Sequence, residues 1–231
     1  MPKKTPPDAL PKPRKAPTKA SPELIRTLFE RFEADKPDPR TELNFVNPYT
    51  LLVAVALSAQ TTDVAVNKAT ASLFKAVATP QAMLALGEEK LAEYIRSINL
   101  YPSKARNVIR AAHILVDKYG GEVPLNREAL IELPGVGNKT ASVVLNELDV
   151  QPAIAVDTHV FRVSHRLGIA DGATPDKVEA QLMAIIPKHW LTRAHHWLIL
   201  HGRYICVARK PKCTLCIVAD LCPRIGVTDS V

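Results

Sequence analysis

Three groups of residues carry chemistry in their types and spacing. The run Leu133-Pro134-Gly135-Val136-Gly137-Asn138-Lys139-Thr140-Ala141 joins two helical patterns through two glycines one residue apart. Glycines there permit positive φ and let a phosphate approach the backbone with no Cβ in the way. Free N–H groups at the start of the next helix then face the anion. A lone G-x-G reads as a helix C-cap and tight turn; the full L-P-G-V-G pattern, with Leu133 and Val136 as anchors, is more specific. Lys139 falls in the first turn of that helix, where a cation opposes the macrodipole by roughly 0.3–1 kcal/mol. A position that disfavours the charge favours the neutral amine, which is the nucleophilic form. A phosphate-binding hairpin followed by such a lysine suggests an amine aimed at sugar chemistry.

The second group begins where the apolar run Ala153-Ile154-Ala155-Val156 stops at Asp157-Thr158-His159. Asp157 reads as the N-cap of a helix carrying Val160, Val163 and Leu167. That role is compatible with a functional one, because a carboxylate fixed by backbone N–H groups is the anion that a developing cationic sugar needs. His159 is placed to line the same pocket. His165, His195, His196 and His201 read as packed side chains, since none makes metal spacing with a cysteine or carboxylate.

The third group is the four cysteines, Cys206, Cys213, Cys216 and Cys222, a C-x6-C-x2-C-x5-C array. With no export signal readable, disulfides are not expected and the array reads as a metal site. Zinc ribbons generally use two C-x2-C knuckles, and only Cys213/Cys216 makes one. Four unevenly spaced thiolates suit an iron–sulfur cube equally well, and spacing leaves the two open. Between the first two cysteines, Arg209, Lys210 and Lys212 put three cations in a loop pinned by ligands, a phosphate-contact surface.

Helices position all of this. Ser21-Pro22 opens one, Asn47-Pro48 opens another through Leu57, and a third follows Thr62 with Val64, Val66, Ala69, Leu73 and Phe74. Stripes at Leu91/Tyr94/Ile95/Ile98, Val108–Leu115 and Ala129/Leu130/Leu133 follow at helical spacing and read as core faces. Further helical patterns run over 157–167, 175–186 and 192–204. No run alternates with period two, so the fold class is all-α. The chain of 231 residues is 47% hydrophobic and 23% charged, ordinary for a globular protein. Its longest apolar stretch, Leu51–Leu57, is far short of the roughly 20 residues that cross a bilayer. The expectation is an intracellular chain with no membrane segment.

Charge is unevenly spread. Lys3, Lys4, Lys12, Arg14, Lys15 and Lys19 against Asp8 put +5 of the formal +7 in the first 20 residues. Six prolines and almost no apolar residue there predict a disordered arm, either solubilising or phosphate-tracking.

Together these pieces resemble the endonuclease III family of DNA glycosylases in the helix–hairpin–helix superfamily, from about Ser21 to Cys222. The segments that carry the resemblance are Thr41–Phe45 (T-E-L-N-F), Leu57–Gln60 (L-S-A-Q), Leu133–Gly137, Ala155–His159 (A-V-D-T-H), His201–Tyr204 (H-G-R-Y) and the cysteine array. The resemblance implies two helical domains flanking a DNA-binding cleft. Residues 43–151 would form a six-helix domain, 21–42 with 152–231 a terminal domain holding a [4Fe-4S] cluster, and 1–20 the basic tail. It implies a bifunctional glycosylase and abasic-site lyase of base-excision repair, removing oxidised pyrimidines from duplex DNA with the nucleotide flipped out. Lys139 would be the nucleophile at C1′, and Asp157 would assist base loss and lysine deprotonation. The four cysteines would ligate the cluster. Gln60 and Leu100 would fill the hole left by the flipped base and wedge the duplex, Gly135, Gly137 and Asn138 would meet phosphate, and Asp63 and His159 would border the lesion pocket. The resemblance further implies a monomer acting at the nucleoid. Asn138 and Ser142 depart from the arginine and asparagine common in bacterial relatives, which bears on one phosphate contact. The competing readings are an adenine glycosylase, against which Lys139 argues, and a non-catalytic DNA-binding iron–sulfur module, against which Lys139 and Asp157 together argue.

Overall fold

Seven of the helices among the described residues start at a side chain suited to start one. In a computed structural model that describes residues 20–231, Ser21, Asn47, Thr62, Thr79, Asn126, Asp157 and Thr174 each accept a backbone N–H from the first turn they precede. Each such cap contributes about 1 kcal/mol. The helices are α1 (Pro22–Asp35), α2 (Pro48–Leu57), α3 (Asp63–Ala76), α4 (Pro80–Leu86), α5 (Glu88–Tyr94), α6 (Tyr101–Tyr119), α7 (Arg127–Ile131), α8 (Asn138–Glu147), α9 (Thr158–Leu167), α10 (Pro175–Ile185) and α11 (Leu191–Tyr204). No strand occurs among the described residues. The basic segment read in 1–20 lies, but for its last residue, outside them.

The described residues divide into two units, Thr41–Pro152 on one hand and those up to Arg40 with Ala153–Val231 on the other. Thr41–Pro152 contains α2 to α8, seven helical segments with the five-residue α7 included, where the resemblance implies six. Its core is built around α2, eight of whose ten residues are buried. A helix apolar all round must be surrounded, which is why α2 shows no single stripe. Leu73, Met83, Leu91, Ile95, Leu115, Leu130, Leu133, Val136 and Val144 close around it.

The other unit packs α1 against α9, α10 and α11. Phe29 stacks on Trp190 with ring centroids 5.9 Å apart, and the Trp197 indole N–H donates to the Lys36 carbonyl at 2.8 Å. Ile25, Leu28, Val160, Val163, Val178, Leu182 and Leu198 complete that core. Arg31 of α1 forms a two-pronged ion pair with Asp220, holding that carboxyl below its usual range, and also donates to the Ile217 carbonyl at 3.1 Å. The segment after Cys216 is thereby tied to α1.

Several boundaries differ from the sequence expectation. The stripe through Ile98 outruns its helix, because α5 ends at Tyr94 and Ile98 is buried in the turn beyond, its N–H bonded to the Ile95 carbonyl at 2.8 Å. Leu133 likewise lies past α7. Val64, read as a core position, is 78% exposed, because it sits in the first turn of α3 before the helix reaches the core. The helix α4, opened by Thr79-Pro80, is too short to show a period.

Candidate active site

The hairpin between α7 and α8 turns on two hydrogen bonds, Leu133 N–H to the Leu130 carbonyl at 3.1 Å and Val136 N–H to the Leu133 carbonyl at 3.0 Å. Leu133 and Val136 are buried and anchor it. The two glycines prove unlike. Gly135 has φ +83°, and a Cβ there would lie 3.1 Å from the Cβ of Asn107 on α6. The protein's own packing demands that glycine. Gly137 has φ −95° and ψ 178°, and a Cβ there would meet nothing within 4 Å. Nothing inside the protein requires it to be glycine, and the space beside it is open.

That space opens at the start of α8, whose N-terminus has no side-chain cap among the described residues. Gly137, Asn138 and Lys139 are exposed there, with Lys139 the second residue of the helix. Uncapped N–H groups and a positive helix end can seat an anion, and the lysine stands beside them.

Gln60 and Leu100 share an unusual backbone. Both are exposed and left-handed, with φ +57° and +59°. Leu100 is the N-cap of α6, where neither leucine nor positive φ is favoured. Strain of this kind concentrates at working sites. Asp63 opens α3 behind the Thr62 cap and is half-buried.

In the other unit, Asp157 caps α9: its Oδ1 accepts from His159 N–H and Val160 N–H, both at 2.8 Å. Both bonds use one oxygen, which leaves Oδ2 for other work. His159 is half-buried, with Nδ1 3.2 Å from Arg162 Nη2. Arg162, which the sequence reading did not single out, also donates to the carbonyls of Cys206 at 3.0 Å and Gly202 at 2.9 Å. It binds the helix that Asp157 opens to the end of α11. Gly202 explains its own motif: a Cβ there would fall 2.8 Å from the Cβ of His159, so only glycine lets α11 approach α9 this closely.

The four cysteines line one pocket enclosing about 370 Å³ of atom-free space, part of it open to solvent, together with Arg166, His201 and Arg224. Polar groups lie close to three of the sulfurs. Arg166 Nη1 lies 3.5 Å from Cys206 Sγ, the Arg224 N–H 3.3 Å from Cys222 Sγ, and His201 Nε2 3.5 Å from Cys216 Sγ. Burial and the neighbouring thiols push Cys216 up to about 12 and Cys222 up to about 11. Left to themselves these thiols stay protonated, and only a cationic group among them lets all four act as thiolate ligands. Among the described residues no three candidate ligands come together as a single ion requires. A ring of thiols around a pocket suits a multi-iron cluster better than one zinc. Burial lowers His201 to about 4, so it faces this pocket uncharged at neutral pH. Arg209, Lys210 and Lys212 are exposed on the loop leading to Cys213, which the Arg166 guanidinium holds through the carbonyls of Val207 and Ala208 at 2.7 and 2.8 Å.

Residues 53–188 match the HhH-GPD superfamily of base excision DNA repair proteins, and 206–222, from the first cysteine to the last, match the iron–sulfur binding domain of endonuclease III. The chain is 56% identical over 200 residues to endonuclease III of Rickettsia conorii, covering 87% of this chain and 95% of that one. The chain belongs to the endonuclease III family. It is also 53% identical to endonuclease III of Escherichia coli strain K12, over 84% of this chain and 92% of that one. Among solved structures, a trapped endonuclease III–DNA covalent intermediate superposes with a TM-score of 0.82 at 46% identity, covering 89% of this chain and 97% of that one. As a member of this family the protein is a base-excision repair DNA glycosylase and AP lyase that binds DNA and carries one [4Fe-4S] cluster. Among the described residues no helix is long and apolar enough to cross a membrane.

Proposed function

We propose that the chain excises oxidised pyrimidines from duplex DNA and nicks the strand there, with Lys139 as nucleophile and Asp157 as the fixed carboxylate. The observation that carries this reading is the exposed amine at the second position of α8, beside an uncapped helix start and a glycine that its own fold does not require. A phosphate seated on those N–H groups brings its sugar to the amine.

The Lys139 amine attacks C1′ with its lone pair. The N-glycosidic bond breaks, and its electrons leave with the base, which takes up a proton. The attached nitrogen loses a proton and the sugar ring opens to an imine. Removal of a C2′ proton then expels the 3′ phosphate by β-elimination, and water hydrolyses the imine to return the amine. Asp157 offers Oδ2 to the cationic sugar. Gln60 and Leu100 enter the stack as the nucleotide leaves it, and Asp63 contacts the flipped nucleotide. The covalent intermediate solved for a 46% identical endonuclease III supports this route.

Cys206, Cys213, Cys216 and Cys222 hold the cluster. Bound, it supplies iron–thiolate bonds that pin the loop presenting Arg209, Lys210 and Lys212 to phosphate. One chain carries every one of these residues, so a monomer inside the cell suffices.

A panel of duplexes carrying single oxidised pyrimidines or oxidised purines tests the substrate class: cutting is expected at the pyrimidines, and preferential cutting at purines would overturn it. Cys213→Ser is expected to lose iron and visible absorption together and to weaken DNA binding. Full iron content in that variant would remove Cys213 from the ligand set.

A further inference from the structure

Lys104 lies on the first turn of α6, half-buried, and its ammonium donates to three oxygens of one turn. These are the Leu57 carbonyl at 2.8 Å, the Ala59 carbonyl at 2.6 Å and Thr61 Oγ1 at 3.0 Å. All three N–H groups of the ammonium are used, and none of the acceptors is a carboxylate. Gln60 stands inside this clamp, between Ala59 and Thr61. Its own carbonyl accepts from Asn99 Nδ2 at 3.0 Å, and Asn99 adjoins Leu100. The backbone N–H of Lys104 meanwhile donates to the Leu100 carbonyl at 3.1 Å. One residue therefore grips the Leu100 turn with its backbone and the Gln60 turn with its side chain.

The placement along α6 is regular. Leu100, Lys104 and Asn107 recur at helical spacing on one face, and Asn107 packs on Gly135 of the hairpin. Both gripped residues carry left-handed backbone without being glycine, a strained state that persists only where the surroundings enforce it. The Lys104 side chain supplies that enforcement at the Gln60 turn, and Asn99 ties that turn to the one at Leu100. Burial draws its pKa below the ordinary lysine value, so the three oxygens stand where its water would have been.

We propose that Lys104 is a positioning residue for strand opening, locking the Gln60 and Leu100 turns into a single two-pronged probe of the duplex. This rests on the reading of Gln60 and Leu100 given above. Prongs held in place before contact need no ordering on insertion, whereas freed ones lose conformational entropy on being ordered. Lys104 touches neither sugar nor base, so a substrate already unstacked has no need of it.

The test compares Lys104→Met, which keeps length and removes charge, on two substrates. Single-turnover excision of an oxidised pyrimidine from duplex DNA, and the fluorescence rise of a 2-aminopurine beside it, are expected to slow by about ten- to hundredfold. Borohydride trapping on an abasic site in a single strand is expected to stay within about twofold. Lys104→Arg, which keeps a cation, recovers part of the duplex rate. Asn99→Ala, at an exposed position, gives the same split more weakly and serves if Lys104→Met does not fold. Equal losses on both substrates, or an unchanged duplex rate, overturn the proposal. Gln60→Ala and Leu100→Ala run in parallel. If they leave duplex excision untouched, the reading of the two prongs has failed; if they slow it and Lys104→Met does not, the failure belongs to Lys104.

Discussion

Lys139→Gln is expected to abolish the borohydride-trapped protein–DNA adduct and to lower strand nicking by at least about a thousandfold, because no other amine stands at the start of α8. Its effect on folding runs the other way. Lys139 is exposed in the first turn of a helix, where its charge opposes the dipole, so removing it stabilises by roughly 0.3–1 kcal/mol. DNA binding loses at most one screened attraction and falls a few-fold at physiological salt. Activity lost while thermal stability holds or rises is a signature that a structural role cannot produce. Trapping at full yield in the variant would move the nucleophile elsewhere. Gel resolution of the adduct and a melting curve on the same preparation decide it.

The parts of this molecule that could be read in one dimension are those that depend on near neighbours. Caps such as Ser21, Asn47 and Asp157 act within three residues, and each opens its helix as read. The hairpin and the cysteine array are equally local, and both stand out in the sequence. A period also says where a face points only while the helix lasts. The stripe at Leu91 continues to Ile98 although α5 stops at Tyr94, because a buried turn can keep the apolar rhythm without helical bonds.

What stayed hidden are contacts between residues far apart in the chain. The ammonium of Lys104 reaches carbonyls more than forty positions away, and nothing in Ser103-Lys104-Ala105 announces it. The two hairpin glycines looked alike until Asn107 appeared beneath one of them. Arg162 resembled any helical arginine, yet it joins His159, Gly202 and Cys206. Gln60 and Leu100 could be named only through family resemblance, since positive φ at a residue other than glycine leaves no compositional mark. Their strain gives a physical reason, independent of the resemblance, to look there.

Asp157→Asn is expected to separate the cap from the charge. In the wild type one oxygen accepts both His159 N–H and Val160 N–H, and an asparagine Oδ1 can accept the same pair. Asparagine and aspartate cap helices about equally well, so stability should change by less than about 1 kcal/mol. The position of Oδ2, however, changes from anion to N–H donor. It can then no longer stabilise a cationic sugar, and single-turnover excision is expected to fall by about a hundred- to thousandfold. Binding to undamaged duplex should hold or tighten slightly, because an anion has been removed from a surface that meets phosphate. Asp157→Ala supplies the contrast: it loses cap and charge together, so turnover falls as far while stability drops by a further 1 kcal/mol or so. If the asparagine variant keeps near-normal excision and only the alanine variant fails, Asp157 works by opening α9 and the charge has no part in the reaction.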